Sequence, residues 1–178
     1  MNVVHVAVAV IRDAAGRVLV AQRLPHQHLA GLWEFPGGKL EPGETLQQGM
    51  RREIREELGI EVQALAPLLR LEHRYPEKTV LLDTWRVLRW AGEPHGAEGQ
   101  PLRWLLPAQM DPADFPPADI PIIRALQLPP LYLISPDLAG ERELAAFVQR
   151  AQASAATLLQ VRLRARPPLA PALVAQLR

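Results

Sequence analysis

At 178 residues the chain has room for one domain, or for one domain with a smaller appendage. With 48% hydrophobic and 22% charged residues it is neither disordered nor membrane-like, and a net charge of +1 gives no general reason to bind duplex nucleic acid. The absence of cysteine excludes a disulfide framework and thiolate metal sites, and is compatible with a reducing cytoplasm.

The first run, "VVHVAVAVI" (residues 3–11), is too short to span a bilayer and has no Lys or Arg before it, so it reads as a buried strand rather than a signal peptide. "RVLVAQR" (17–23) is a second β-rich run, and the turn-type "DAAG" between them predicts a hairpin. A Gly/Pro-rich loop follows, "FPGGKLEPGE" (35–44). Thr45 and Gln48 then form a capping box, Leu46, Met50, Ile54 and Leu58 recur at i+4 steps, and Gly59 stands at the C′ position, which predicts a helix. Residues 79–90 and 101–106 are further strand candidates, "DPADFPPA" is an irregular loop, and residues 119–128 suit a helix.

Pro129-Pro130 reads as a junction. Beyond it come a strand (131–135), an Ala-rich helix (140–156), a second strand (157–164) and the start of another helix (168–178). This β-α-β-α order is the signature of parallel pairing. From Leu144 onward there is no acid, so the arginines there form either a solvated basic face or an anion site.

The helix raises a chemical question. Glu53, Glu56 and Glu57 lie at i, i+3 and i+4, a spacing at which like charges repel, and they sit beside the apolar stripe. Arg51 and Arg55 fall on the far side, while Arg52 is one turn from Glu56. A hard divalent cation would resolve the conflict, because Mg2+ takes carboxylate oxygens and keeps positions for water and phosphate. Gly37-Gly38 would let backbone approach an anion, and Glu44 at the start of the helix could join the acidic cluster.

Taken together, Gly38, Glu44, Arg52, Glu53, Ile54, Glu56, Glu57, Gly59 and Ile60 match the Nudix box, G-x5-E-x7-R-E-U-x-E-E-x-G-U, at every spacing. With "LWEFPGGKLEPGET", "AGEPHGAEGQP" and "ADFPPAD", residues 1–128 resemble MutT-type Nudix hydrolases. The resemblance implies an α/β (α+β) fold with a mixed sheet sandwiched between helices. It implies Mg2+-dependent hydrolysis of oxidised purine nucleoside triphosphates, 8-oxo-dGTP to 8-oxo-dGMP and pyrophosphate, with Mn2+ as a substitute metal. It places Glu53, Glu56, Glu57, Glu98 and a carbonyl of Gly37 or Gly38 on the metal. Glu53 and Glu98 are both general-base candidates, with Arg52 orienting a glutamate and Glu44 completing the catalytic set. Arg23 and Lys39 would hold phosphates or be surface cations, and Phe35 would stack on the purine or serve the core.

Position 119 departs from the pattern, with Asp119 where those enzymes carry asparagine. An amide can donate to O6 of 8-oxoguanine and accept from N7–H, whereas a carboxylate only accepts. Asp119 therefore either carries a raised pKa in a closed site, or turns away, or caps the following helix.

The segment 131–178 resembles the opening of thiamine-phosphate synthase-like barrels, with Gln160, Arg162 and Arg164 on the second strand where such barrels contact pyrophosphate. Two strands close no barrel, so the resemblance implies a truncated fusion whose open edges are expected to pack on the first domain or on a second copy, making a homo-oligomer. Two other functions stay open: hydrolysis of a different diphosphate, from the thiamine pathway or a pterin, and a nucleotide-sensing module without turnover.

Overall fold

The structure, a computed structural model, describes residues 3–129, 131–138 and 140–163. The chain divides into two compact units between Gln127 and Leu128.

The first unit carries two sheets. One has four strands in the order β4-β1-β6-β5, with β1 Val3–Ile11, β4 Gly37–Lys39, β5 Glu61–Arg74 and β6 Thr79–Ala91. It is mixed: β1 runs parallel to β6 and antiparallel to β4. The other has three strands in the order β3-β2-β7, with β2 Val18–Gln22, β3 Trp33–Glu34 and β7 Leu102–Leu105. Helix α1, Leu46–Leu58, packs on one side through Met50, Ile54 and Leu58, which join Ala7, Ala9, Ile11 and Leu19 in one core. A second core gathers Val8, Val10, Val18, Val20, Phe35 and Phe115 with Ile122, Ile123 and Leu126 of α2, Ile120–Gln127. Alternate residues of β1 thus feed opposite cores, as a strand buried on both faces must. The sandwiched mixed sheet agrees with the expected fold.

α1 forms as its sequence dictates. Thr45 and Gln48 close the capping box and Gly59 takes the left-handed conformation with φ 66°.

The predicted hairpin does not form. β1 and β2 lie in different sheets, and beyond the turn their ends meet in a single bridge, Arg12 to Val18, among the described residues. The edge β2 would need on β1 is occupied by the glycine-rich segment: Val6, Ala7 and Val8 face Lys39, Gly38 and Gly37, and Ala9 N–H donates to the Pro36 carbonyl. The predicted loop at residues 35–44 accordingly contains a strand, because a backbone with no side-chain pattern can still pair.

In the second unit, β8 (Tyr132–Leu138) pairs in parallel with β9 (Leu158–Leu163), and α3 (Glu141–Gln152) lays Leu144, Phe147 and Val148 against Leu133, Leu138 and Val161. Parallel pairing matches the predicted order. The helix predicted at 168–178 lies outside the described residues. Among the described residues no helix is long and apolar enough to cross a membrane.

Candidate active site

The first unit holds a cleft of about 550 Å3, large enough for a nucleotide. The acidic end is built from α1 and two loops. Glu53 and Glu57 face the cleft from α1, Glu98 from the loop before β7, and Gly37, Gly38 and Lys39 from β4. The loop carrying Glu98 is fastened to the end of the helix: His95 N–H donates to the Leu58 carbonyl, while Ala97 N–H and the Gln100 amide both donate to the Glu57 carbonyl. These bonds satisfy helix-end carbonyls that would otherwise lack partners.

Arg52 organises the other carboxylates. Its guanidinium donates to both oxygens of Glu44 at 2.8 and 2.9 Å, to Glu53 at 2.9 Å, to Glu56 at 3.2 Å and to the Lys39 carbonyl at 3.0 Å. Hydrogen bonds from Arg52 and from Glu41 N–H hold the Glu44 pKa down at about 2, so Glu44 is a fixed anion that anchors the arginine. Glu44, Arg52 and Glu56 are absent from the cleft lining, and the Glu56 side chain is 55% exposed. The seven other predicted residues besides Glu53 and Glu57, namely Glu98, Gly37, Gly38, Lys39, Arg23, Phe35 and Asp119, all line it.

Glu57 faces the cleft from the last turn of α1. Burial pushes its pKa up to about 8, Glu34, Glu53 and Glu98 push the same way, and only the Gly37 N–H, donating at 2.9 Å, opposes them. Burial raises Glu53 as well, against the pull of Arg52. Among the described residues no three acidic or histidine side chains close around one point; the carboxylates are held by Arg52 and Gly37 instead. The donor set nonetheless fits a hard divalent cation: three carboxylates and a glycine backbone border one cleft, and their mutual repulsion is what such a charge relieves. Close approach is built in, since a Cβ at Gly38 would overlap the Glu53 carboxylate.

The rest of the cleft lining is apolar with a few polar groups: Val4, Val6, Val8, Phe35, Tyr75, Pro116 and Ala118, with Arg23, Glu34 and Asp119. Arg23 pairs with Glu34 and donates to the His28 carbonyl, so this cation is committed within the protein. Glu34, Tyr75, His28 and Lys78 also line the cleft and were not singled out from sequence. The register Ala21–Glu34 and Gln22–Trp33, which brings Glu34 beside Arg23, has no local sequence signal.

Asp119 is 7% exposed and accepts a hydrogen bond from the Phe35 backbone. Burial and the neighbouring Glu34 push its pKa up to about 7. Of the readings open from sequence, burial at this position favours the raised pKa. Unfolded, the group titrates near its ordinary 3.8, so between there and pH 7 the native state binds a proton the unfolded state lacks. Stability from this group is therefore full below the unfolded value and is lost as pH rises through about 7. Asp119→Asn, neutral throughout, is expected to raise the unfolding free energy at pH 8 by about 2–4 kcal/mol and to change it little at pH 4. Urea denaturation at both pH values checks this; equal effects would show that the carboxylate is not strained by burial.

Comparison with known proteins agrees with this geometry. The NUDIX domain family matches residues 7–125, about two thirds of the chain and nearly the whole first unit. The chain belongs to the NUDIX family. This NUDIX protein is 40% identical over 127 residues to the 8-oxo-dGTP diphosphatase of Escherichia coli (strain K12), covering 71% of this chain and 98% of that one. It is 37% identical over 125 residues to the CTP pyrophosphohydrolase of the same organism, covering 70% and 92%. A solved structure from work on MutT of Aliivibrio salmonicida and Vibrio cholerae superposes with a TM-score of 0.59 at 32% identity, covering 70% of this chain and 97% of that one. Nudix hydrolases generally use divalent metal ions, as the donor set here suits.

Proposed function

We propose that the first unit hydrolyses 8-oxo-dGTP to 8-oxo-dGMP and pyrophosphate with Mg2+, or Mn2+ in its place, cleansing the cytoplasmic nucleotide pool of a mutagenic precursor. The observation that carries this is one cleft lined both by Glu53, Glu57 and Glu98 and by Phe35, Tyr75 and the buried Asp119. The 8-oxo-dGTP diphosphatase relative supports the choice of base.

Glu53, Glu57, Glu98 and a Gly37 or Gly38 carbonyl would hold the metal, with Glu56 joining from the exposed side of α1. When bound it would neutralise phosphate oxygens and acidify the attacking water. Lys39 holds phosphate charge at the mouth. Glu53 or Glu98 takes the proton from the water that attacks the β-phosphorus. Arg52, fixed by Glu44, sets the orientation of Glu53. Arg23 acts through Glu34 at the base end. The intact glutamate set speaks against a sensing module without turnover.

For the second unit we propose kinship with the start of a thiamine-phosphate synthase-like barrel, supported by its parallel β-α-β order. Arg162 pairs with Asp137 at 3.0 Å and Gln160 with the Tyr132 hydroxyl. Exposed Tyr132, Ile134 and Leu158 on this sheet support association of a second copy.

Assay of 8-oxo-dGTP, dGTP, CTP and thiamine diphosphate with Mg2+, scoring pyrophosphate against phosphate release, tests the proposal. The expected result is the highest kcat/KM for 8-oxo-dGTP with pyrophosphate as co-product. Preference for CTP or thiamine diphosphate, or release of phosphate, would overturn it.

A further inference from the structure

Asp119 stands where an amide would both donate and accept, and the same cleft is lined by a phenol, Tyr75. Tyr75 opens the turn between β5 and β6, its N–H donating to the Lys78 carbonyl at 2.8 Å. Its ring is held edge-on by His73, with centroids 4.5 Å apart, and by His28 at 6.1 Å. The phenol lies beside the Ala118 backbone, one residue before Asp119, and Tyr75, Ala118 and Asp119 all line the cleft. A phenolic hydroxyl carries a proton it can donate. Beside it the Asp119 carboxylate, braced by the Phe35 backbone, offers an acceptor.

We infer that Tyr75 and Asp119 together read the purine, Tyr75 donating to O6 and Asp119 accepting from N7–H, so that Tyr75 is a specificity-determining residue for 6-oxopurines protonated at N7. This rests on the base-end assignment in the proposed function and names the residue that replaces the lost amide donor. The complementarity is selective. With Asp119 ionised, guanine, which shows two acceptors, O6 and N7, on this edge, would turn N7 toward the carboxylate; adenine shows an amino donor at position 6, which would face the tyrosine proton. Of these bases only 8-oxoguanine, with O6 beside N7–H, satisfies both groups.

The test separates base reading from turnover. Calorimetry on the full chain would compare 8-oxo-dGMP, 8-oxo-dAMP and an 8-oxopurine monophosphate lacking O6, for wild type and Tyr75→Phe. Tyr75→Phe is expected to lower the affinity ratio of 8-oxo-dGMP over 8-oxo-dAMP about tenfold, the worth of one neutral hydrogen bond. Removing O6 from the ligand should cost wild type a similar factor and Tyr75→Phe nothing further, the coupling that a structural role would not produce. An unchanged ratio would put the donor on Asp119 itself and overturn the inference, as would additive losses. Should Tyr75→Phe unfold, the wild-type comparison with and without O6 still decides, because equal affinities exclude any donor at that position. If wild type binds 8-oxo-dGMP selectively but turns over no 8-oxo-dGTP, the proposed reaction falls while this pairing stands. Turnover of 8-oxo-dGTP with an unaltered ratio in Tyr75→Phe does the opposite: the reaction stands and the pairing falls.

Discussion

Glu53→Gln is expected to lower kcat by about a thousandfold or more while leaving the protein at least as stable as wild type. The glutamine keeps the shape and can still accept from Arg52, which donates at 2.9 Å, but it supplies neither a full charge to a metal nor a base for water. Stability should not fall, because burial raises the pKa of Glu53, so the charged form is disfavoured where it sits. Steady-state kinetics with Mg2+, paired with thermal denaturation, measures both arms. A variant within tenfold of wild type would remove Glu53 from the chemistry. Glu98→Gln run alongside separates the two base candidates, since only the base variant should lose the acidic limb of the pH–rate profile.

Gly38→Ala carries the second large effect, and its neighbour supplies the control. The added methyl at Gly38 would meet the Glu53 carboxylate, a side-chain end that can swing aside at the expense of its alignment. A displacement of about 1 Å in a catalytic group costs on the order of a hundredfold, so that loss in kcat/KM is expected with little change in stability. Gly37→Ala differs in kind. Its φ of 141° disfavours any side chain, and the Cβ would strike the Ala7 carbonyl in the central strand. That variant should lose several kcal/mol of stability. If both alanines merely destabilise, the close approach at Gly38 serves the fold and not the carboxylate.

The sequence was most legible where function and local physics coincide. The capping box, the apolar stripe and Gly59 defined α1 from end to end, and with it the side of the helix on which the glutamates stand. The pairing of Arg52 with Glu56 followed from a single helical turn. The base end was far less legible. Glu34 reaches Arg23 through strand register, and Tyr75 reaches Ala118 across more than forty residues, so neither has a spacing to betray it. The hairpin expectation failed for a related reason: turn chemistry at residues 13–16 is local, but which strand lies beside β1 is decided by the whole sheet. The departure at Asp119 was visible at once. Its consequence, a carboxyl pushed up to about 7, needed the burial that only tertiary packing provides.

The loop from residue 95 to residue 100 hangs on the last carbonyls of α1, and Glu98 rides on that loop. Acids from two distant stretches of chain are thereby tied together through three hydrogen bonds. Were the long β5–β6 ribbon to flex during catalysis, Glu57 and Glu98 would travel in step, and their separation would survive the motion.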